Sequence, residues 1–448
     1  MKKYKNKYKN KYYIHFDTKK KYNINLHNYI TNPIEIKSHG FYPFIHFEIK
    51  FIKYVLKKKE FEKGNKIEIK EKKSKVRKIK YAAHIDRFIY QHYGDLLNNM
   101  YNLHVKMLGI NRVVTAYRNN FKGKNNIHFA KEAFEFIAKQ DKAFIFLGDF
   151  TNFFDNLDHA YLKKQLLNIF KLNSLPDDHY AVYKNVTKYS YINLSDIEAY
   201  YSKSSKEIKK DGKIKFFETK EFQQIKQMFL RKNEDSFGIP QGSSISSVYS
   251  NIYMMDFDKN INNYVTSKKG MYRRYCDDFI IIIPICDEVE IPTHKEHIFD
   301  RTGMIPKLEL HPDKTESYIF DRKVKPVIKS MDNTNRYLFN YLGFSFDGVK
   351  IRIRDKSVFK YYSRAYKKAR TVLRHKRKGS DKEKIIRRKL FNIYTYIGDR
   401  KYYKNKNGNF LTYARKAHEL YSNSGLLNSE INNQLKRHWY EIGKRIKG

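Results

Sequence analysis

Cysteine is almost missing: 448 residues hold two, Cys276 and Cys286. A disulfide framework and a Cys-rich zinc module are therefore excluded in practice, and no His/Cys cluster offers another zinc site. A reducing, cytoplasmic setting fits. Long apolar stretches are absent as well. The longest run, Phe279–Cys286, falls far short of the roughly 20 apolar residues that a membrane-spanning helix needs, so no membrane is expected. The charged N-terminal segment has no apolar core and predicts no secretion signal. Acidic charge is scarce: 47 Asp and Glu stand against 91 Lys and Arg, a formal net charge of +44.

An excess of that size repels itself in a compact fold unless an anionic partner offsets it. Nucleic acid is the first candidate and an anionic lipid surface the second, and a Lys- and Asn-rich compositional bias accounts for part of the excess. With 41% hydrophobic residues the chain can still fill a large core spread over more than one domain. The 38 tyrosines interleaved with basic residues suit base stacking, although most serve equally well as core or surface filler.

Along the chain, residues 1–22 are Lys/Tyr/Asn-rich and read as disordered or as a contacting arm. Tyr13–Asp17 and Phe44–Glu48 alternate like strand fragments. A basic stretch, Lys72 to Lys80, leads into helical periodicity carried by Ile85, Phe88 and Ile89. Further helices are expected over Ile127–Lys139, His159–Phe170 and Ser244–Tyr264, and a strand over Lys142–Phe150. Residues 171–236 look like an insertion. Met271–Pro284 reads as two β-rich runs joined at Asp277-Asp278, and two more strand runs surround Gly348. Beyond 355 the pattern is basic and helical.

The sharpest signal is acidic. Asp149 ends a buried strand in Gly148-Asp149-Phe150-Thr151-Asn152-Phe153-Phe154-Asp155, and Tyr275-Cys276-Asp277-Asp278 places two carboxylates on a tight turn. Alone, each is a plausible strand end or turn. Together, on neighbouring strands, they match the hard oxygen ligands that two Mg²⁺ ions about 3.5–4 Å apart require, with Mn²⁺ as a substitute. Such a pair of ions lowers the pKa of a 3′-hydroxyl and holds a triphosphate, so no nucleophilic side chain is needed.

At this point the chain resembles the reverse transcriptases. Asp149–Asp155 is similar to their motif A, Gly238–Ser246 to motif B, Tyr275–Asp278 to the YxDD box, Leu308–Glu316 to motif D and Tyr341–Phe344 to the primer grip, in family order. Arg77–Lys80 with Asp86-Arg87, and Ala116-Tyr117-Arg118, resemble fingers segments of bacterial and group II intron-like members. Ser243-Ser244 after the motif B glycine, Cys276 in the YxDD box and the long segment 171–236 look more like the abortive-infection, retron and other defence-associated enzymes.

The resemblance implies an α+β right-hand polymerase fold: a basic N-terminal extension (1–70), fingers (71–141), a palm with an antiparallel sheet (142–336), a primer-grip hairpin (337–354) and a helical thumb (355–448). It implies an RNA-directed DNA polymerase that adds dNTPs to a 3′-hydroxyl, in a phage-defence setting with a dedicated noncoding RNA. Untemplated or protein-primed DNA synthesis, RNA synthesis and a catalytically inactive scaffold are the alternatives. Asp149, Asp277 and Asp278 become the catalytic triad, joined by the Phe150 carbonyl as metal ligand and Lys314 as general acid. Arg77, Lys80, Arg118, Phe154, Gln241 and Gly242 become the dNTP site, and Leu342 and Gly343 the primer grip. Phe154 would exclude a 2′-hydroxyl by its bulk. Expected partners are an RNA template or noncoding RNA, the DNA product, dNTPs, and a second subunit or a second copy of the chain. No second acidic constellation suggests a ribonuclease H domain.

Overall fold

The computed structural model describes residue 8 and residues 13–62, 65–323, 327–331, 337–398 and 408–447. The chain is a mixed α+β protein with a helical C-terminal part, and the described strands form three sheets. The long hairpin of β1 (Phe44–Glu62) and β2 (Asn65–Tyr81) shares a sheet with β4 (Ser190–Asn193) and β5 (Arg231–Lys232), in the order β2-β1-β4-β5. The central sheet has the order β6-β7-β3-β8-β9, built from Met271–Tyr275, Asp278–Pro284, Lys142–Asp149, Glu316–Asp321 and Val327–Ser330. The third runs β10-β11-β12-β13, from Phe339–Tyr341, Phe344–Phe346, Lys350–Ile353 and Asn428–Ser429.

The central sheet is antiparallel throughout and buried on both faces. Side chains of β3 alternate: Phe144 and Phe146 enter one apolar core, while Ala143, Ile145 and Leu147 enter a second. On β7, Phe279, Ile281 and Ile283 go to the first and Ile280 and Ile282 to the second. This explains the unbroken apolar run Phe279–Ile283: a strand covered on both sides has no polar face. The first core is closed by the helices His84–Met107, His159–Phe170, Ser244–Tyr253 and Met255–Ser267, the second by Asn126–Ala138, Asp355–Arg377 and Phe410–Ser422. Among the described residues no helix is long and apolar enough to cross a membrane.

Several expectations shift. Tyr13–Asp17 is irregular rather than a strand, because its buried groups are anchored from side chains: Asp17 accepts from the His84 and Ile85 amides at 3.0 Å each. Lys72–Lys80 is part of the strand β2, which leads into the helix His84–Met107 as expected, and its partner β1 lies in what the sequence assigned to the N-terminal extension. The helix expected over Ser244–Tyr264 is two helices that meet at Met254. Residues 1–7 and 9–12 of the N-terminal arm, and part of the Lys/Asn-rich break near 404–409, lie outside the described residues.

Candidate active site

The register of the central sheet assembles the acidic residues. β3 and β7 pair so that Asp149 stands directly opposite Asp278, and β6 and β7 pair Tyr275 with Asp278. Cys276 and Asp277 thus form the tip of a two-residue hairpin, and Cys276 takes the left-handed conformation, φ 64°, that such a tip requires. Gly148 is fixed by its neighbour: a Cβ there would lie 2.2 Å from the Phe279 ring. The Phe150 amide donates to the Asp277 carbonyl at 3.3 Å, tying the hairpin tip to the segment that leaves β3.

Asp149 is buried, and Asp278 keeps part of its surface open while its carboxyl is crowded against Asp149 and Asp277. Enclosure in the protein and the nearby Asp149 charge raise the Asp277 carboxyl above its ordinary range. The same two influences, with Asp149 hydrogen-bonded to it and Asp277 alongside, push Asp278 up as well. Carboxylates crowded in this way favour either a shared proton or a cation. A cation is present in the form of Lys314: its Nζ donates to Asp149 Oδ1. Lys314 ends a 3-10 turn, Pro312–Lys314, and the segment just before it is bound alongside Asp149, with His311 N–H donating to the Asp149 carbonyl at 2.7 Å and Thr151 N–H to the Glu309 carbonyl at 2.9 Å.

Among the described residues no group of three or more His, Cys, Asp or Glu side chains is gathered closely enough to hold a metal ion as it stands. The donor set fits a hard divalent cation in kind, being all carboxylate, and the Lys314 ammonium stands in for positive charge at Asp149.

The turn expected to line a nucleotide is locked to the Asp149 segment. Ile239 N–H donates to the Phe154 carbonyl and Gly238 N–H to the Leu157 carbonyl, each at 2.8 Å. Gly238 has φ 86°, and a Cβ there would lie 2.9 Å from the Asp155 carbonyl oxygen. On the other side, Lys80 N–H donates to the Gln241 carbonyl at 2.9 Å, and a Cβ on Gly242, φ 125°, would lie 2.6 Å from the Lys80 carbonyl oxygen. Both glycines are demanded by close backbone approach. Ser246 then caps the turn by donating to the Pro240 carbonyl at 2.7 Å.

Phe154 is half-buried, its ring edge-on to Phe153 at 5.5 Å. Arg77 is exposed, over the Phe51 ring at 5.4 Å. Lys80 is buried, its ammonium over Tyr189 at 4.8 Å, and burial lowers its pKa against the pull of Asp155. Arg118 is engaged by neighbouring polar groups. Its guanidinium donates to Asn102, to Asn111 Oδ1 at 2.6 Å, and to the Asn111 and Val114 carbonyls at 3.0 and 3.2 Å, so it ties its loop to the helix His84–Met107. Leu342 and Gly343, both at positive φ, form the tip of the β10–β11 hairpin, and Asn126 Nδ2 donates to the Leu342 carbonyl at 2.9 Å.

Sequence reasoning missed the support beneath the hairpin. Arg274 on β6 is fully buried. It forms a two-pronged pair with Asp258, at 2.8 and 2.6 Å, and donates to the Cys276 carbonyl at 2.8 Å. Tyr272 also donates to Asp258, at 2.8 Å. The signal in the sequence was one of two Asp in the helix Met255–Ser267 and one of two Arg in the strand Met271–Tyr275, and nothing local singles out either. Tyr117 reaches the same tip, hydrogen-bonded to Cys276, from a backbone at φ 59°. The Tyr341 hydroxyl is buried without a hydrogen-bond partner and feels the Asp278 charge.

No protein-family model matches the chain, and no curated protein matches it. Among solved structures it is similar to an apo telomerase from Candida tropicalis truncated from its C-terminal domain, with a TM-score of 0.40, 12% identity, and 66% of this chain and 53% of that chain covered. It is also similar to a telomerase from Candida albicans in complex with a TWJ fragment of telomeric RNA, with a TM-score of 0.39, 14% identity, and 65% and 47% covered. The chain spans about half the length of these structures.

Proposed function

We propose that the chain is a nucleic-acid polymerase of the reverse-transcriptase kind, extending a 3′-hydroxyl with deoxynucleotides along an RNA template. The observation that carries this reading is the β3–β7 register, which sets Asp149 against Asp278 with Asp277 at the adjoining tip. Two Mg²⁺ or Mn²⁺ ions held by Asp149, Asp277, Asp278 and the Phe150 carbonyl would supply the charge that activates the hydroxyl and neutralises the departing pyrophosphate. Lys314 then leaves Asp149, and its ammonium is free to donate a proton from Nζ to the leaving phosphate. Gln241 and Gly242 orient the incoming nucleotide from a turn that cannot move independently of Phe154 or Lys80. The Phe154 ring excludes a 2′-hydroxyl, and exposed Arg77 offers a fork for the triphosphate. Arg118 is left out of this reading because its donors are engaged by Asn102, Asn111 and the Val114 carbonyl.

The test is nucleotide incorporation by the purified protein with Mg²⁺ and labelled dNTPs or NTPs, before and after ribonuclease, alongside sequencing of any RNA that copurifies. Ribonuclease-sensitive dNTP incorporation that disappears in Asp277→Asn is the expected result. Incorporation that survives both Asp277→Asn and chelation of divalent ions defeats the reading. Incorporation of NTPs alone replaces it with RNA synthesis.

A further inference from the structure

The β1–β2 hairpin is out of proportion to the sheet that anchors it. β4 pairs with β1 only over Phe44–His46. From there β1 and β2 pair only with each other, register unbroken to Glu62↔Asn65 except for one bulge between Leu56 and Lys58. The 15 ladder positions from Glu48 to Glu62 extend about 50 Å. A lone two-stranded ribbon is marginal in water. This one also concentrates charge, with 13 Lys and Arg against five Glu over its two strands.

Near its root the ribbon leaves apolar groups uncovered: Ile49, Ile52 and Val76 are 38%, 57% and 41% exposed. Each face there mixes the two kinds. Ile49 is opposite Arg77 and Phe51 opposite Lys75 on one face, while Lys50 is opposite Val76 and Glu48 opposite Lys78 on the other. A lipid-binding element would separate apolar from basic faces. A ribbon whose root is basic on both sides suits a groove walled by phosphates, and the major groove of B-DNA admits a two-stranded β-ribbon. Its root is fixed against the Gln241-Gly242 turn, so whatever it holds lies beside the candidate active site.

We propose that the β1–β2 ribbon is an arm that binds double-stranded nucleic acid through the phosphate backbone. The inference does not depend on polymerase chemistry. The test is binding of a labelled RNA–DNA hybrid, a duplex DNA and a single strand, each longer than the ribbon, by fluorescence anisotropy over a salt series with EDTA and no nucleotides. The full chain is compared with a trimmed chain in which residues 53–73 are replaced by Asn-Gly, a cut that keeps the Ile52↔Ser74 pair. That segment carries nine lysines and four glutamates. If half the lysines neutralise phosphates, trimming lowers the log–log salt slope by about 4, and duplex affinity falls at least tenfold. A second variant, Lys57→Glu/Lys58→Glu/Lys59→Glu, keeps the length and is expected to show most of the loss, with its melting temperature unchanged.

Unchanged duplex affinity and slope in both variants overturn the proposal. A loss confined to the single strand, or binding that moves instead to anionic phosphatidylserine vesicles, overturns the duplex assignment. If the polymerase reading fails, neither chain incorporates nucleotides, yet the difference in duplex binding persists. If the arm fails, both chains extend a primer and bind alike.

Discussion

Removing Arg274 tests whether the acidic hairpin is held from below. The Asp258 carboxylate is fully buried and takes hydrogen bonds from Arg274 Nε and Nη2 and from Tyr272, while Arg274 Nη1 also serves the Cys276 carbonyl. Arg274→Met strips Asp258 of its counter-ion and leaves one neutral donor. Breaking one side of a buried pair costs about 3–5 kcal/mol, because an uncompensated charge stays in the interior. That loss is comparable with the whole stability of many domains, about 5–15 kcal/mol. Asp258→Leu strands the guanidinium and costs a similar amount. The double variant Arg274→Met/Asp258→Leu removes both charges and refills the volume, so it should recover most of the loss. Its Cys276 carbonyl still lacks the donor that fixed the tip bearing Asp277, so stability and activity part company. Urea unfolding should place each single variant far below the parent and the double variant within about 1–2 kcal/mol of it. Nucleotide incorporation by the folded double variant should stay at least tenfold down. Single variants within about 1 kcal/mol of the parent would refute the energetic argument. A stable double variant with full activity would refute the positioning argument.

Gly242→Ala puts a Cβ at φ 125° and 2.6 Å from the Lys80 carbonyl oxygen, so the turn must separate from β2; primer extension should fall at least tenfold while circular dichroism is unchanged. Phe154→Ala should raise ribonucleotide relative to deoxynucleotide incorporation, and an unchanged ratio in a competition assay would remove the ring from that role. His15 is buried, its ring bonded to the Tyr81 carbonyl at 3.2 Å with Asp17 and His84 facing it, and burial lowers its pKa to about 3. The unfolded chain takes up that proton below pH 6.5 and the folded chain does not. Stability is therefore lost as pH falls, by about 2 kcal/mol between pH 7 and 5. His15→Gln should show a shallower fall over that interval in urea titrations, and an identical fall would exclude His15 as its source.

Legibility in the sequence followed how local the determining interactions are. The helix His159–Phe170 is bounded as its periodicity indicates, with Asp158 accepting from the Tyr161 amide as N-cap. Lys142–Asp149 and Asn126–Ala138 fall within a residue of their expected bounds. The placement of Asp149 at a strand end and of Asp277 and Asp278 at a turn was readable for the same reason, since short-range chemistry marks both. The β1–β2 ribbon was not. Its strands are charge-rich and lack clean alternation, so only pairing across the hairpin identifies β2, and its lysines read as a solvated stretch. The partners of Arg118 were not legible either, because an Arg among polar residues looks the same whether it faces a phosphate or Asn102 and Asn111. Arg274 and Asp258 were invisible because neither has meaning without its partner 16 positions away.

The same division separates the parts of the site. The carboxylates are placed by a sheet buried on both faces, where a one-residue slip would exchange its two cores and is strongly resisted. Lys314 is held differently, by two backbone hydrogen bonds beside Asp149 and by the ion pair itself. Lys314→Ala therefore leaves the sheet intact but exposes Asp149 to repulsion from Asp277 and Asp278. If divalent cations take over the neutralising role, this variant should gain more thermal stability from added Mg²⁺ than the parent does, because no ammonium has to be displaced. Equal shifts in parent and variant would mean that Lys314 and the cation do not compete for Asp149. No shift in either would show that the carboxylates bind no cation in the free protein. With the ion pair absent, any Mg²⁺ response must come from the three carboxylates themselves, so the variant tests the metal site without reference to catalysis.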